Sequence, residues 1–440
     1  MTVEDILLIL FIYIIVGVVV LVANYADHQR QTWLRQITIA VLLLLNVLIV
    51  TNSALTWVQV NNPDLFANAD SIDPDDLPSA AAADAALIFS LVFAGLSAAL
   101  LFQPVRQVVA RLFPRYRGET GAHPLEAHPQ PEVLQPPSDE SAQGISPELV
   151  PRTEGTPLFP QMLNYYTSEA LILPRPVTSG QPMPGMTSAS PEQRPGRSYQ
   201  VRGFNPASTV HMVALIMCVY FWGVQVINFI LGGGLEGVAE GFEGSITVMD
   251  LIINGLPQVL LPILGVGIGL RRNWPQTRQR LGLQMPDLEG AVMAFAATFV
   301  LLVFVFFSSI IWQELVSEET LEEQTQASEA LADSIGGIGI AFLIAVQAGV
   351  GEEIAFRGAL QPVFGFWATT ALFVLTHMQY TLTPAALIIL GVAMVFGWLR
   401  QRYNTTVAIM AHFLYDFVLL ALSLLAGEYV EESIIRMLML

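Results

Sequence analysis

The stretch Gly351-Glu352-Glu353-Ile354-Ala355-Phe356-Arg357 puts three ionisable side chains inside a segment that otherwise reads as membrane-spanning. Residues 335–350 are almost wholly Gly, Ala, Ile, Leu, Val and Phe, and residues 359–373 resume that character. A single charged side chain at the centre of a spanning helix costs about 2.5–3.5 kcal/mol on insertion scales. Three together must pair or line a polar cavity, so they mark a functional site by default. Glu353 and Arg357 are four apart, share a helix face and can neutralise one another. Glu352, about 100° further round, is left without an obvious partner. A carboxylate held in a poorly solvated site is a better base than one in water, which suits general-base chemistry near neutral pH.

Two further clusters occur in the spans that follow. His377 ends the run Phe373-Val374-Leu375-Thr376-His377, and His412 and Asp416 lie four apart in the last span. At the helical rise per residue, Glu352 lies roughly 13 Å, His412 roughly 10 Å and His377 roughly 15 Å from the cytoplasmic side. Taken singly, each residue is as well explained as a polar bridge between helices. At matched depth, the set reads as one cavity. Of the other histidines, His211 sits at the edge of a span, where an interfacial anchor explains it, and His28, His123 and His128 lie in loops.

The elements that must carry these residues follow from composition. The chain has 440 residues, 53% hydrophobic and 13% charged, with apolar runs long enough to cross a bilayer, so a soluble globular reading does not compete. The expected fold is an all-α polytopic membrane protein of about ten transmembrane helices, with the catalytic bundle in the C-terminal seven. The spans fall near residues 6–23, 37–58, 85–102, 210–231, 248–270, 291–312, 335–361, 367–380, 384–400 and 406–426. The net charge of −18 reflects topology: every basic residue is arginine, and arginine loops alternate with acidic ones. The positive-inside rule then places both termini outside, in what is read as a bacterial plasma membrane. The acidic stretch 314–333 is expected to be a solvated loop in preference to a helix. No basic patch mixes with exposed aromatics, so nucleic acid is excluded as a partner. The one cysteine, Cys218, permits no internal disulfide.

Four regions are expected. Residues 1–112 form a three-helix N-terminal membrane region, and 208–427 the catalytic domain. Between them, 113–207 read as a disordered cytoplasmic linker, because sixteen of the 27 prolines lie between Gly118 and Pro206. Residues 428–440 are a short acidic-to-apolar tail.

At Glu352, Glu353 and Arg357, then Phe373 and His377, then His412 and Asp416, the sequence resembles the CAAX-protease and bacteriocin-processing family of intramembrane proteases. That family includes the type II CAAX prenyl endopeptidases and is marked by Glu-Glu-x-x-x-Arg, Phe-x-x-x-His and His-x-x-x-Asn on successive helices. The resemblance covers roughly residues 210–426, with a similar basic loop from Arg271 to Leu283. It implies hydrolysis of a peptide bond in a membrane-associated protein or peptide, in contact with membrane lipid. Glu352 and His377 would activate water, Glu353 and Arg357 would hold the geometry, and His412 and residue 416 would stabilise the oxyanion.

Asp416 departs from the family's amide. An ionised carboxylate repels an oxyanion, so it would have to be protonated, orient His412, or help bind a metal. Two chemistries stay open. Glu352, His377 and His412 offer oxygen and nitrogen ligands for zinc, whereas no His-Glu-x-x-His motif is present and a glutamate-activated water without any cofactor fits the same residues. Metal-free hydrolysis is slightly favoured. A catalytically silent relative acting as a membrane scaffold or immunity protein is the alternative. A proton-coupled transporter lacks support, since no internal repeat is evident.

Overall fold

The computed structural model describes residues 3–66, 77–116, 202–234, 244–377 and 385–429. The expected linker between 117 and 201, the tail beyond 429, and residues 67–76, 235–243 and 378–384 lie outside the described residues. Among those described there is no strand. The helices are α1 (Val3–Gln29), α2 (Thr32–Asn61), α3 (Ala80–Leu100), α4 (Gln103–Val109), α5 (Thr209–Leu231), α6 (Val248–Gly265), α7 (Trp274–Leu281), α8 (Leu288–Leu315), α9 (Glu318–Ser334) and α10 (Ile338–Glu352). A π-helical turn, Glu353–Leu360, continues α10 into α11 (Gln361–Phe364), followed by α12 (Phe366–Leu375), α13 (Ala386–Arg402) and α14 (Thr405–Tyr429).

This is an all-α integral membrane protein. Among the described residues, eight helical segments are long and apolar enough to cross a bilayer, including residues 338–364 as one continuous span. The other two of the ten expected spans are shorter: α12 has 10 residues and α13 has 17. At 1.5 Å per residue, α12 covers only about half of a 30 Å hydrocarbon core. Gly365, at φ 85°, breaks the chain sharply before α12. Most of the acidic stretch 314–333, from Glu318 on, is a helix, α9, and not the solvated loop expected. Ser317 caps it by accepting from Thr320 N, and no Gly or Pro interrupts the following run of good helix formers.

Small residues set the packing on α10. At Gly349 an added Cβ would come within 2.9 Å of Phe413 N, so α10 and α14 cross backbone to backbone there. At Gly351 and Gly255 the same construction meets glutamine side chains across the α6–α10 contact. In apolar surroundings, close approach at small residues replaces the hydrophobic drive that packs soluble helices. The crossing at Gly349 lies one turn before Glu353 and one residue beyond His412, which brings those two side chains face to face. A separate core of Ala294, Leu301, Val392, Phe396, Ala408 and Ala411 joins α8, α13 and α14.

The first three helices pack with the second half. Asp27, near the end of α1, caps α5: Ser208 Oγ, Thr209 N and Val210 N donate to its carboxylate at 2.5, 2.7 and 3.1 Å. Asn24 Nδ2 donates to Leu264 O at 2.9 Å, while its Oδ1 accepts from Arg271 Nη2 at 2.8 Å. Arg106 is buried and donates to Leu100 O, Leu101 O and Pro206 O. Burial holds its guanidinium down to about 10, with Arg35 adding like-charge repulsion. These contacts gather the arginine-bearing loops at one end of the bundle.

Candidate active site

The π-helical turn begins immediately after Glu352, and its cause is legible in the chain. Pro362 has no N–H, so Gly358 O, the carbonyl four residues before it, loses its helical donor. The structure supplies arginines instead. Arg280 on α7 donates from Nη1 to Gly358 O at 2.9 Å and from Nη2 to Ala359 O at 3.2 Å. Arg400 on α13 donates from Nε to Arg357 O at 3.2 Å. The N–H of Gln361 reaches back five residues to Phe356 O, the π-type bond. Gly358 permits the approach, since a Cβ there would meet Leu281 O at 3.1 Å. Single π turns inside α-helices occur frequently at functional sites.

Arg280→Ala removes two charge-assisted bonds, one of them to Gly358 O, whose helical donor position is Pro362. It is expected to cost about 1.5–3 kcal/mol and to depress activity, whereas Arg278→Ala on the same short helix, whose Nε sits 3.4 Å from Leu283 O, should do neither. Thermal unfolding of the two purified variants checks this.

The π turn presents Glu353 and Arg357 inward, both almost wholly buried. Arg357 Nη1 lies 3.3 Å from Glu353 Oε1, and Arg357 Nη2 donates to Ala393 O at 3.3 Å. The guanidinium lies 4.0 Å over the ring of Phe373, so a cation–π contact supports it from below. Glu353 Oε1 also faces His412 Nδ1 at 3.0 Å, and His412 Nε2 faces Asp416 Oδ2 at 3.2 Å. The ring of His412 stacks on Phe396 at 4.5 Å. Both imidazole nitrogens thus point at carboxylate oxygens, and two such contacts require protons on both nitrogens or one on a carboxyl. The result is a single chain of charge, Arg357–Glu353–His412–Asp416, drawn from the π turn and α14.

Four of the six expected site residues are brought together in that chain. His377 stands beside it: its ring lies 4.7 Å from the ring of Phe373, the same phenyl that lies under Arg357 and 6.2 Å from His412. His377 Nδ1 is 2.8 Å from Phe373 O. A carbonyl only accepts, so Nδ1 carries the proton, and in the neutral ring Nε2 holds the lone pair. Glu352, the last residue of α10, is different again. Its Oε2 is buried and has no hydrogen-bond partner.

As arranged, these residues do not fit a zinc ion. His412, one of the three expected ligands, has each nitrogen engaged by a carboxylate, and among the described residues no three His, Cys, Asp or Glu side chains converge as a ligand set. Sequence reasoning missed Arg280, Arg400 and the π turn they hold. Pro362, which leaves the carbonyl four residues before it without a helical donor, was the feature that could have revealed them.

Residues 334–418 match the family model of the type II CAAX prenyl endopeptidase Rce1-like proteins. The matched segment runs from the end of α9 into α14 and contains Glu352, Glu353, Arg357, Phe373, His377, His412 and Asp416. No curated protein and no solved structure matches the chain. The match is confined to that segment, where the three motifs fall at the junction of α10 with the π turn, at the end of α12 and on α14, and it supports membership of the CAAX-protease and bacteriocin-processing family, a family of membrane peptidases.

Proposed function

We propose that this protein is an intramembrane endopeptidase that hydrolyses a peptide bond of a membrane-associated protein or peptide. The observation that carries the reading is the contrast between two adjacent carboxylates. Glu353 is held through Oε1 by Arg357 and His412, while Glu352 Oε2 lies buried without a hydrogen-bond partner. In this reading Glu352 takes a proton from water, with His377 orienting it, and the water oxygen attacks the scissile carbonyl. The C–N bond then breaks, and Glu352 returns its proton to the departing amine. For His412 to meet the oxyanion, its Nε2–H must be shared between Asp416 Oδ2 and the substrate oxygen once substrate enters, a contribution of about 2.7–4 kcal/mol where such donors have been removed. The 3.2 Å contact from Asp416 to His412 Nε2 supports an orienting role for Asp416.

The chemistry proposed is metal-independent. A strong chelator is expected to leave turnover unchanged, and loss of activity restored by zinc would contradict that. By the positive-inside rule the arginine-rich end of the bundle would face the cytoplasm. The test is cleavage of a membrane-anchored peptide by purified protein in ¹⁸O-water. One heavy oxygen should enter the new C-terminal carboxyl, and His377→Ala should abolish most of the signal. An intact peptide under all conditions would sink the endopeptidase reading in favour of a silent relative.

A further inference from the structure

Two glutamines stand beside Glu352 on the contact between α6 and α10. Each fills a notch left by a glycine on the opposite helix. A Cβ at Gly351 would come within 2.4 Å of Gln258 Oε1, and one at Gly255 within 2.6 Å of Gln347 Cγ. Gln347 Nε2 lies 3.4 Å from Gln258 Oε1. Gln347 and Gly351 are four apart on one face of α10, and Glu352 is the next residue. The pair is therefore placed at the level of the proposed base, on the adjoining face.

Two carboxamides hold two C=O and two NH₂ groups. Their mutual contact uses one of each, whichever way the amides are turned, and leaves one donor group and one acceptor group. Both residues are only half-buried, unlike Glu353 and Arg357. Next to them, Pro262 within α6 cannot donate to the Gln258 carbonyl four residues before it. A membrane helix pair thus keeps neutral hydrogen-bonding capacity open next to its reactive carboxylate.

Hydrolysis needs a peptide bond whose carbonyl is out of any helix. An unwound backbone in apolar surroundings carries N–H and C=O groups, each costly to leave unpaired. An extended strand presents those groups alternately along one edge, which is how main-chain recognition works in strand addition. We infer that Gln258 and Gln347 bind the backbone of the substrate, accepting from one of its N–H groups and donating to one of its C=O groups as it lies extended beside Glu352. This rests on the endopeptidase reading. The ligand class is an unwound peptide segment, recognised through its main chain and tolerant of side-chain identity at the residue held.

Gln258→Met and Gln347→Met keep length and volume while deleting the amide. Each variant should raise KM for a membrane peptide about tenfold, the loss of one good hydrogen bond, with KM carrying most of the fall in kcat/KM. A substrate N-methylated along its backbone should lose affinity at one position for the wild type, and that penalty should vanish in the variant lacking the matching amide. Should a variant fail to fold, the N-methyl scan of the wild type still decides, because insensitivity at every position overturns the inference. Wild-type KM and an unchanged N-methyl penalty in both variants, with Glu352→Gln inactive, would also overturn it, leaving the pair as interhelical glue. If instead Glu352→Gln turns over normally, it is the endopeptidase reading that fails.

Discussion

Arg357→Leu is expected to cost about 3–5 kcal/mol of stability, the usual penalty for stripping one partner from a buried ion pair. Glu353 has no exposed surface, and its Oε2 already lacks a hydrogen-bond partner. Without the guanidinium 3.3 Å away, its charge rests on His412 alone. The substitution also deletes the bond to Ala393 O and the cation–π contact with Phe373, and desolvated contacts of the latter kind are worth about 2 kcal/mol. The sign can be separated from mere loss of volume. Combining Arg357→Leu with Glu353→Gln removes the uncompensated charge, so the double variant should be more stable than Arg357→Leu alone. Thermal unfolding of both proteins in the same micelle gives the comparison.

Glu352→Gln should do the reverse. The amide keeps the shape of the carboxylate and abolishes its basicity, so turnover should fall by about 10²–10⁴, the usual contribution of a general base. Stability should stay level or rise. A buried carboxylate oxygen with no partner destabilises the fold, and exchanging it for a neutral amide relieves that cost. Stability sacrificed at a reactive residue is the pattern expected of an active site. Two residues five apart in one motif thus carry opposite signatures: Arg357 holds the fold, and Glu352 weakens it in exchange for reactivity.

Much of this was legible in the sequence, for identifiable reasons. Buried charge among apolar residues singles out 351–357, and the spacing of four between Glu353 and Arg357, and between His412 and Asp416, is realised in both contacts. Hydropathy gives the long spans because each must cover the same hydrocarbon thickness. What the sequence did not disclose depends on partners distant in the chain. The bond from Glu353 to His412 joins residues 59 apart, and it changes His412 from a free donor into the middle of a charge chain. The π turn depends on Arg280 and Arg400 answering carbonyls just before Pro362, a pairing no periodicity contains. The helical α9 was misjudged because an acidic stretch without an apolar face carries little burial information, although its Ser317 cap was in plain view. The docking of α1 through Asn24 and Asp27 was likewise invisible to hydropathy, since a single polar residue near the end of a span reads as a boundary.

The central claim is that Glu352 is the base of a peptide hydrolase. Its most direct test is cleavage of one membrane-embedded peptide by wild-type and Glu352→Gln protein, reconstituted in the same vesicles and matched for folded content. The account predicts hydrolysis by the wild type and a rate about 10²–10⁴ lower in the variant, at equal or higher thermal stability. Equal turnover by the two proteins would contradict it.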